Sequence, residues 1–202
     1  AKRKCDAPMS DMAIAELTPR KITVDEYHRM VDARIIEPDE RVELLDGLIV
    51  EMSPIGKPHW LLHWQIDSFL KERLGTRAAV VGHASLPLGA YSEPQPDIIV
   101  FARSAVEDSV RIPTVDEVYA FVEISDSSLT KDKGPKRDLY EGFGIKDYLV
   151  VDVAKDRVFH YAAHHGGRYG EPRTMTYGDT FALAALPDIV LEADRFLPPL
   201  AR

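Results

Sequence analysis

The chain has 202 residues, which suits one domain with a full hydrophobic core and is short for two. Hydrophobic residues make up 45% and charged residues 29% of the chain, which excludes a disordered or fibrous protein, and its one cysteine excludes an intramolecular disulfide. The formal charge of −8 argues against a protein that coats nucleic acid through an extended basic surface, but it is compatible with an acidic metal site beside a local basic patch.

The apolar runs of the chain are only a few residues long, so we expect no membrane-spanning segment. No positively charged stretch followed by an apolar one is found near the start, which makes secretion an unfavoured interpretation. The single cysteine, Cys5, is compatible with a reducing compartment. The sequence therefore predicts a cytoplasmic protein.

The N-terminal third contains an arm, a helix and a hairpin. Residues 1–20 lack periodicity and predict a loose arm, which leaves 21–202 as a single domain with a core over about 57–153. Thr23 followed by Glu26 is a capping-box pattern and predicts a helix to about Ala33. Two apolar runs flank Asp46-Gly47, a dipeptide that favours a tight hairpin turn.

The central part predicts a sheet with helices around it. Apolar residues at helical spacing predict a helix from about His59 to Leu74. Strands are predicted over 79–82, 97–102 and 118–125, then a helix from about Lys133 to Phe143, and strands over 147–153 and 158–162. The remainder predicts short strands and turns. This order indicates an α/β (α+β) fold with a mixed central sheet flanked by helices.

Two carboxylates and a lysine in this central part suit metal-dependent cleavage of a phosphodiester. Asp97 opens one strand after Pro96, and Glu123 lies near the end of another strand that is otherwise apolar. A buried carboxylate is costly unless it is paired or bound to a metal, and Mg²⁺ prefers such oxygen ligands. An isolated Glu123 would more simply pair with a surface lysine or cap a turn.

Lys136 follows at the start of the predicted helix. With Asp132 as the N-cap, Lys133 and Lys136 would lie at the positive end of the helix dipole and form an anion site. The alternative is a solvated run of charges over residues 131–138.

These features together resemble the PD-(D/E)XK nuclease superfamily. More narrowly, three stretches resemble the Uma-two family, whose members are predicted restriction endonucleases: 42–47, 93–97 and 122–153, above all 123–129 leading to Asp132, Lys136 and Tyr140. The resemblance implies a restriction-endonuclease-like core with an added N-terminal helix and hairpin and added C-terminal strands. It further implies Mg²⁺ or Mn²⁺ held by Asp97, Glu123 and the backbone carbonyl of Ile124, a DNA substrate and a homodimer.

The chain departs from the superfamily pattern at one position. Ser125 stands where the motif usually has a lysine, so Lys136 of the following helix is our candidate, with Lys131 and Lys133 as competitors. Glu43, on the hairpin, is the preferred additional acid, although it is equally compatible with an outward-facing strand residue.

The remaining candidates are weaker. His59 and His63 have the i, i+4 spacing of a zinc site but lack the adjacent glutamate, and His59 could instead serve water or substrate. His160, His164 and His165 are predicted to lie at the surface. A local basic patch is expected from Lys131, Lys133, Lys136, Arg137 and Arg103. The leading hypothesis is a Mg²⁺- or Mn²⁺-dependent DNA endonuclease; the alternative is a catalytically inactive module of the same fold that acts in binding or assembly.

Overall fold

The computed structural model describes residues 19–107, 111–162 and 167–199. The predicted N-terminal arm therefore lies outside the described residues, apart from its last two, as do His164 and His165.

The N-terminal helix and hairpin have the predicted form. Helix α1 spans Val24–Asp32, and Thr23 and Glu26 form both hydrogen bonds of the capping box. Strands β1 (Val42–Leu45) and β2 (Leu48–Glu51) pair antiparallel. The turn between them places Asp46 and Gly47 at φ values of 48° and 81°, which is why the dipeptide suits it.

A mixed sheet of six strands is the centre of the fold. Helix α2 (Lys57–Leu74) precedes β3 (Ala78–Gly82) and β4 (Ile98–Ala102), and a short helix α3 (Arg103–Glu107) leads towards β5 (Val118–Ser125). After a helical segment come β6 (Asp147–Asp152), β7 (Arg157–Ala162) and β8 (Arg173–Met175). The strands lie in the order β3-β4-β5-β6-β7-β8, and all neighbours are antiparallel except β5 and β6. The predicted α/β (α+β) fold with a mixed sheet is confirmed.

The two faces of the sheet carry two hydrophobic clusters. On one face, Val122 and Ile124 of β5 belong to a cluster with Leu62 and Ile66 of α2. On the other face, Phe121 packs in a cluster with residues that include Tyr140 and Tyr148. Because side chains alternate along β5, Glu123 lies on the second face, under the helical segment that follows this strand.

That helical segment begins earlier than the sequence predicts. It consists of α4 (Leu129–Lys131), a π-helical turn over Asp132–Lys136 and α5 (Arg137–Gly142), so it starts at Leu129 and not at Lys133. Asp132 is consequently an interior, buried residue and not the N-cap, and the predicted anion site at a helix N-terminus is wrong. Pro135 explains the wider turn, because it cannot donate the backbone hydrogen bond of a regular helix.

The C-terminal part adds a second, two-stranded sheet. Strands β9 (Thr180–Leu183) and β10 (Leu186–Glu192) pair antiparallel, and Phe181 and Leu191 join the cluster on the α2 face. His160 is buried, contrary to the prediction, because its Nε2 lies 2.7 Å from Oδ1 of the buried Asp147. Within the described ranges, no helix is long and apolar enough to cross a membrane.

Candidate active site

The register of the central sheet brings Asp97 and Glu123 together. β4 and β5 pair Ile98 with Val122, so continuing the antiparallel register places Asp97 opposite Glu123. Directly opposed residues of such strands have Cβ atoms about 4.5–5.5 Å apart. Both side chains line one pocket, which Ile124 and Lys136 also line.

Asp97 is held at both carboxylate oxygens. The backbone N–H of Ile124 donates to Oδ2 at 2.7 Å, and Nε2 of His59 lies 3.0 Å from Oδ1. Burial alone would raise the pKa of Asp97, but the contacts with His59 and Ile124, together with the charge of Lys136, lower it. Asp97 is therefore a carboxylate that retains its charge at a buried position.

Glu123 faces Lys136 inside the protein. Nζ of Lys136 lies 2.8 Å from Oε1 of Glu123, and the hydroxyl of Tyr140 donates to the same oxygen at 3.0 Å. Burial raises the pKa of Glu123 well above its usual value, and Lys136 opposes this while Asp132 and Asp97 add to it. Burial would lower the pKa of Lys136, but Glu123 and its other acidic neighbours raise it, so the ammonium remains charged.

Glu43 reaches this group from the added hairpin. Its carboxylate is buried, with Oε1 3.0 Å from Nζ of Lys131 and Oε2 2.9 Å from Nζ of Lys136. The backbone N–H of Gln95 also donates to Oε2, at 3.3 Å. Glu43 is therefore not the outward-facing strand residue of the alternative interpretation; it joins two lysines of the 129–142 segment to β1.

Asp132 and Ser125 fix the helical segment over the sheet. The hydroxyls of Ser125 and Ser128 donate to Oδ2 of Asp132, at 2.7 Å for Ser125 and 2.5 Å for Ser128. The hydroxyl of Tyr148 donates to the backbone carbonyl of Asp132. Ser125 is thus buried under this segment, and a lysine there would have no room unless the segment moved. The ammonium that pairs with Glu123 belongs to Lys136 of this segment, and not to a residue of β5.

The other predicted basic residues are not assembled around the pocket. Lys133 lies with Nζ 3.5 Å from the centre of the Phe159 ring, so it is not a substitute for Lys136. Arg103 follows β4 at the end away from Asp97, about 20 Å along an extended strand. Arg137 pairs with Asp138 at 2.9 Å. Of the five residues of the predicted basic patch, Lys131 and Lys136 line the pocket, whereas Lys133, Arg137 and Arg103 do not.

The donors of the pocket fit a hard divalent cation. Asp97 and Glu123 supply carboxylate oxygens, which Mg²⁺ and Mn²⁺ favour. Among the described side chains that line or adjoin the pocket, acidic groups outnumber basic ones by two: Asp97, Glu123, Asp126, Asp132 and Glu43 against Arg41, Lys131 and Lys136. In the same described ranges no three His, Cys, Asp or Glu residues form a metal cluster, so two carboxylates would need backbone and water oxygens as further ligands.

Three features of the site have only weak signals in the sequence. In the sequence, Asp132 has the pattern of a helix N-cap, although it is buried. The hydrogen bond from Tyr140 to Glu123 depends on a helical segment that begins four residues before the predicted start. His59 and His63 do not form a zinc site: each contacts Asp97 instead. Their i, i+4 spacing indicates that both side chains lie on one side of α2, and this side faces Asp97.

Comparison with known protein families identifies the family of this chain. Residues 24–194 match the model of the Uma2 family, whose description is "Putative restriction endonuclease". The chain belongs to the Uma2 family. The match includes every residue of the candidate site, and membership supports a nuclease-like function.

A solved structure shows the same fold as this Uma2 chain. It comes from Anabaena variabilis ATCC 29413 and is described as a "putative nuclease belonging to DUF820". The TM-score is 0.66 at 16% sequence identity, with 87% of this chain and 97% of that chain covered. A search of curated proteins found no match.

Proposed function

We propose that this protein is a Mg²⁺- or Mn²⁺-dependent endonuclease that hydrolyses DNA phosphodiester bonds. Asp97, Glu123 and the backbone carbonyl of Ile124 would be the metal ligands. The observation that carries the proposal is the convergence of Asp97, Glu123 and Lys136 on one pocket, with the lysine ammonium 2.8 Å from Glu123.

Each side chain has a distinct part in the proposed reaction. Asp97 directly precedes β4 and Glu123 lies on the adjacent β5, so the pairing of these strands fixes the separation of the two carboxylates. Lys136 carries a buried positive charge that stabilises negative charge developing on the phosphate. Glu43 holds Lys136 and Lys131 in place from the hairpin. A bound divalent cation would lower the pKa of a water molecule and neutralise the phosphate.

The choice of DNA rests on the description of the family, and the choice of a homodimer rests on a symmetry argument. Cleavage of both strands of a duplex by one pocket per chain needs a second copy, and two-fold dimers are the commonest oligomers. We also propose that the protein acts in the cytoplasm, which is compatible with its single cysteine. Sedimentation velocity should show a dimer; a monomer at all concentrations would contradict this part of the proposal.

Incubation of the purified protein with supercoiled plasmid tests the activity. Nicked and then linear DNA should accumulate with Mn²⁺ or Mg²⁺, and EDTA should stop the reaction. Asp97→Ala and Glu123→Ala should each abolish it. Asp188→Ala is the matched control, because this acidic residue is exposed and pairs with Arg77 elsewhere. Linear duplex, single-stranded DNA and RNA in parallel reactions identify the substrate.

The alternative is a module of the same fold that binds or assembles without cleavage. It is favoured by the net charge of −8 and by the ion pairs that occupy Lys131 and Lys136. Calorimetry with Mn²⁺ and the cleavage assay together distinguish the two. If the wild type binds the ion and Asp97→Ala does not, yet no nucleic acid is cleaved, the alternative is the better account.

A further inference from the structure

Two histidines of α2 contact the same aspartate. Nε2 of His59 lies 3.0 Å from Oδ1 of Asp97, and Nε2 of His63 lies 3.0 Å from the backbone carbonyl oxygen of Asp97. The residues are one helical turn apart, so the helix fixes both the side chain and the main chain of this aspartate.

The chemistry of the acceptors sets the direction of both hydrogen bonds. A carboxylate and a carbonyl oxygen only accept, so Nε2 donates in both rings. Oδ2 of Asp97 accepts from the backbone N–H of Ile124 as well. Since each carboxylate oxygen has two lone pairs, these bonds use one on each oxygen and leave the other for a cation.

The second histidine is itself held in place. Its ring stacks on His83 with the centroids 4.1 Å apart, and the backbone N–H of His83 donates to the same carbonyl of Asp97 at 3.0 Å. Gly82 makes room for this ring, because a Cβ atom there would lie 2.8 Å from the imidazole of His63. The arrangement is therefore built from β3 and α2 together.

The two ring nitrogens of His59 have different surroundings. Its Nδ1 is buried and has no hydrogen-bond partner among the described residues. Its Nε2, which lies 3.0 Å from Oδ1 of Asp97, therefore makes the described polar contact of the ring. The contact with Asp97 is therefore the described polar interaction through which His59 can act.

We propose that His59 and His63 are positioning residues that orient Asp97 towards the metal pocket. His59 fixes the rotation of the carboxylate, and His63 fixes the backbone of Asp97 directly before β4. This inference rests on the proposed function, because the orientation matters only if Asp97 serves a cation. Partners of metal ligands of this kind typically contribute 10–100-fold to metal affinity or activity.

The orientation of Asp97 can be measured without metal or substrate. The backbone amide of Ile124 reports it, since this N–H is bonded to Oδ2 at 2.7 Å. In ¹⁵N-labelled protein, His59→Ala should change the Ile124 amide shift and speed its hydrogen exchange. His59→Gln should restore both, because a glutamine amide can donate to Oδ1 from a similar reach. Trp64→Ala, at an exposed position of the same helix, should change neither.

Calorimetry with Mn²⁺ then tests the consequence for the metal. We expect binding about 10–100-fold weaker in His59→Ala and near wild type in His59→Gln and Trp64→Ala. Folded His59→Ala with an unchanged Ile124 amide, or with unchanged Mn²⁺ affinity, would overturn the proposal. If His59→Ala does not fold, loss of Mn²⁺ affinity in His59→Gln equal to that of Asp97→Ala would also overturn it.

Failure of the proposed function gives a different pattern. If the wild type binds Mn²⁺ more tightly than His59→Ala but cleaves no nucleic acid, the proposed nuclease activity is wrong and the positioning role of His59 stands. A wild type that binds no Mn²⁺ would defeat the metal site, and the Ile124 amide alone would then decide whether His59 orients Asp97.

Discussion

Lys136 is the residue on which the other charges of the site depend. It is 2% exposed and pairs with Glu123 and Glu43 at 2.8 and 2.9 Å, so its removal leaves two buried carboxylates facing each other. Breaking a buried ion pair in this way typically costs about 3–5 kcal/mol. The ammonium group of Lys136 therefore has a structural role in addition to the catalytic role that we propose.

The variant Lys136→Ala should separate metal binding from cleavage. We expect cleavage to be lost, because the charge next to the phosphate is gone, while Mn²⁺ affinity is retained or increased, because a neighbouring cation is removed. Plasmid cleavage and calorimetry measure the two. Lys71→Ala, which breaks only the surface pair with Asp67, is the control. Wild-type cleavage by Lys136→Ala would exclude the lysine from the mechanism.

Glu43 should affect catalysis without binding the metal. Both of its oxygens are occupied by Lys131 and Lys136, so Glu43→Gln loosens the lysines but removes no proposed ligand. We expect slower cleavage and unchanged Mn²⁺ affinity, determined by plasmid assay and calorimetry. A large loss of Mn²⁺ affinity would instead make Glu43 a ligand.

At the scale of elements, the close approach of β3 to α2 passes through Gly82. A methyl group at this position would meet the His63 ring at 2.8 Å, and stacking on His83 limits how far the ring can retreat. We therefore expect Gly82→Ala to weaken Mn²⁺ binding and slow cleavage. Gly134→Ala is the matched control, because nothing lies within 4 Å of its added Cβ. Equal behaviour of the two variants would show that His63 adjusts freely.

The sequence predicts those elements whose signals are local. The Asp46-Gly47 turn and the capping box of Thr23 and Glu26 depend on neighbouring residues only, and both have the predicted form. Asp97 and Glu123 could be placed at one pocket because strand alternation and a family resemblance agree. Their roles in catalysis stay a prediction.

The sequence fails where side-chain contacts formed in the folded protein decide the position of a residue. Asp132 reads as a helix cap, but the hydroxyls of Ser125 and Ser128 draw it into the interior and the helix starts before it. His160 reads as a surface residue because its buried partner, Asp147, lies on the neighbouring strand. Local propensity carries no information about such partners.

At the scale of the whole molecule, the net charge of −8 limits how the protein can hold DNA. Lys131 and Lys136 are engaged with acidic groups, which leaves few cations near the pocket for phosphates. With two or three phosphate contacts, the slope of log affinity against log salt should be about −2 to −3.

Fluorescence anisotropy with the Glu123→Gln variant, which should leave the DNA intact, measures this slope. A slope steeper than about −6 would mean an extended basic surface that the described residues do not supply.

The surplus of negative charge around the pocket should make the stability of the whole protein depend on metal. A ligand that binds only the folded state stabilises it by about 2.7 kcal/mol at one hundred times its dissociation constant. Thermal unfolding should therefore shift upward with Mn²⁺ and return with EDTA.

Glu123→Gln removes a carboxyl group whose ionisation is opposed by burial and, further, by Asp132 and Asp97, while Lys136 keeps its ion pair with Glu43. This variant should be at least as stable as the wild type without metal and should gain nothing from Mn²⁺. Equal stabilisation of both proteins by Mn²⁺ would mean that the ion binds outside the pocket of Asp97 and Glu123. This pocket would then not be the metal centre.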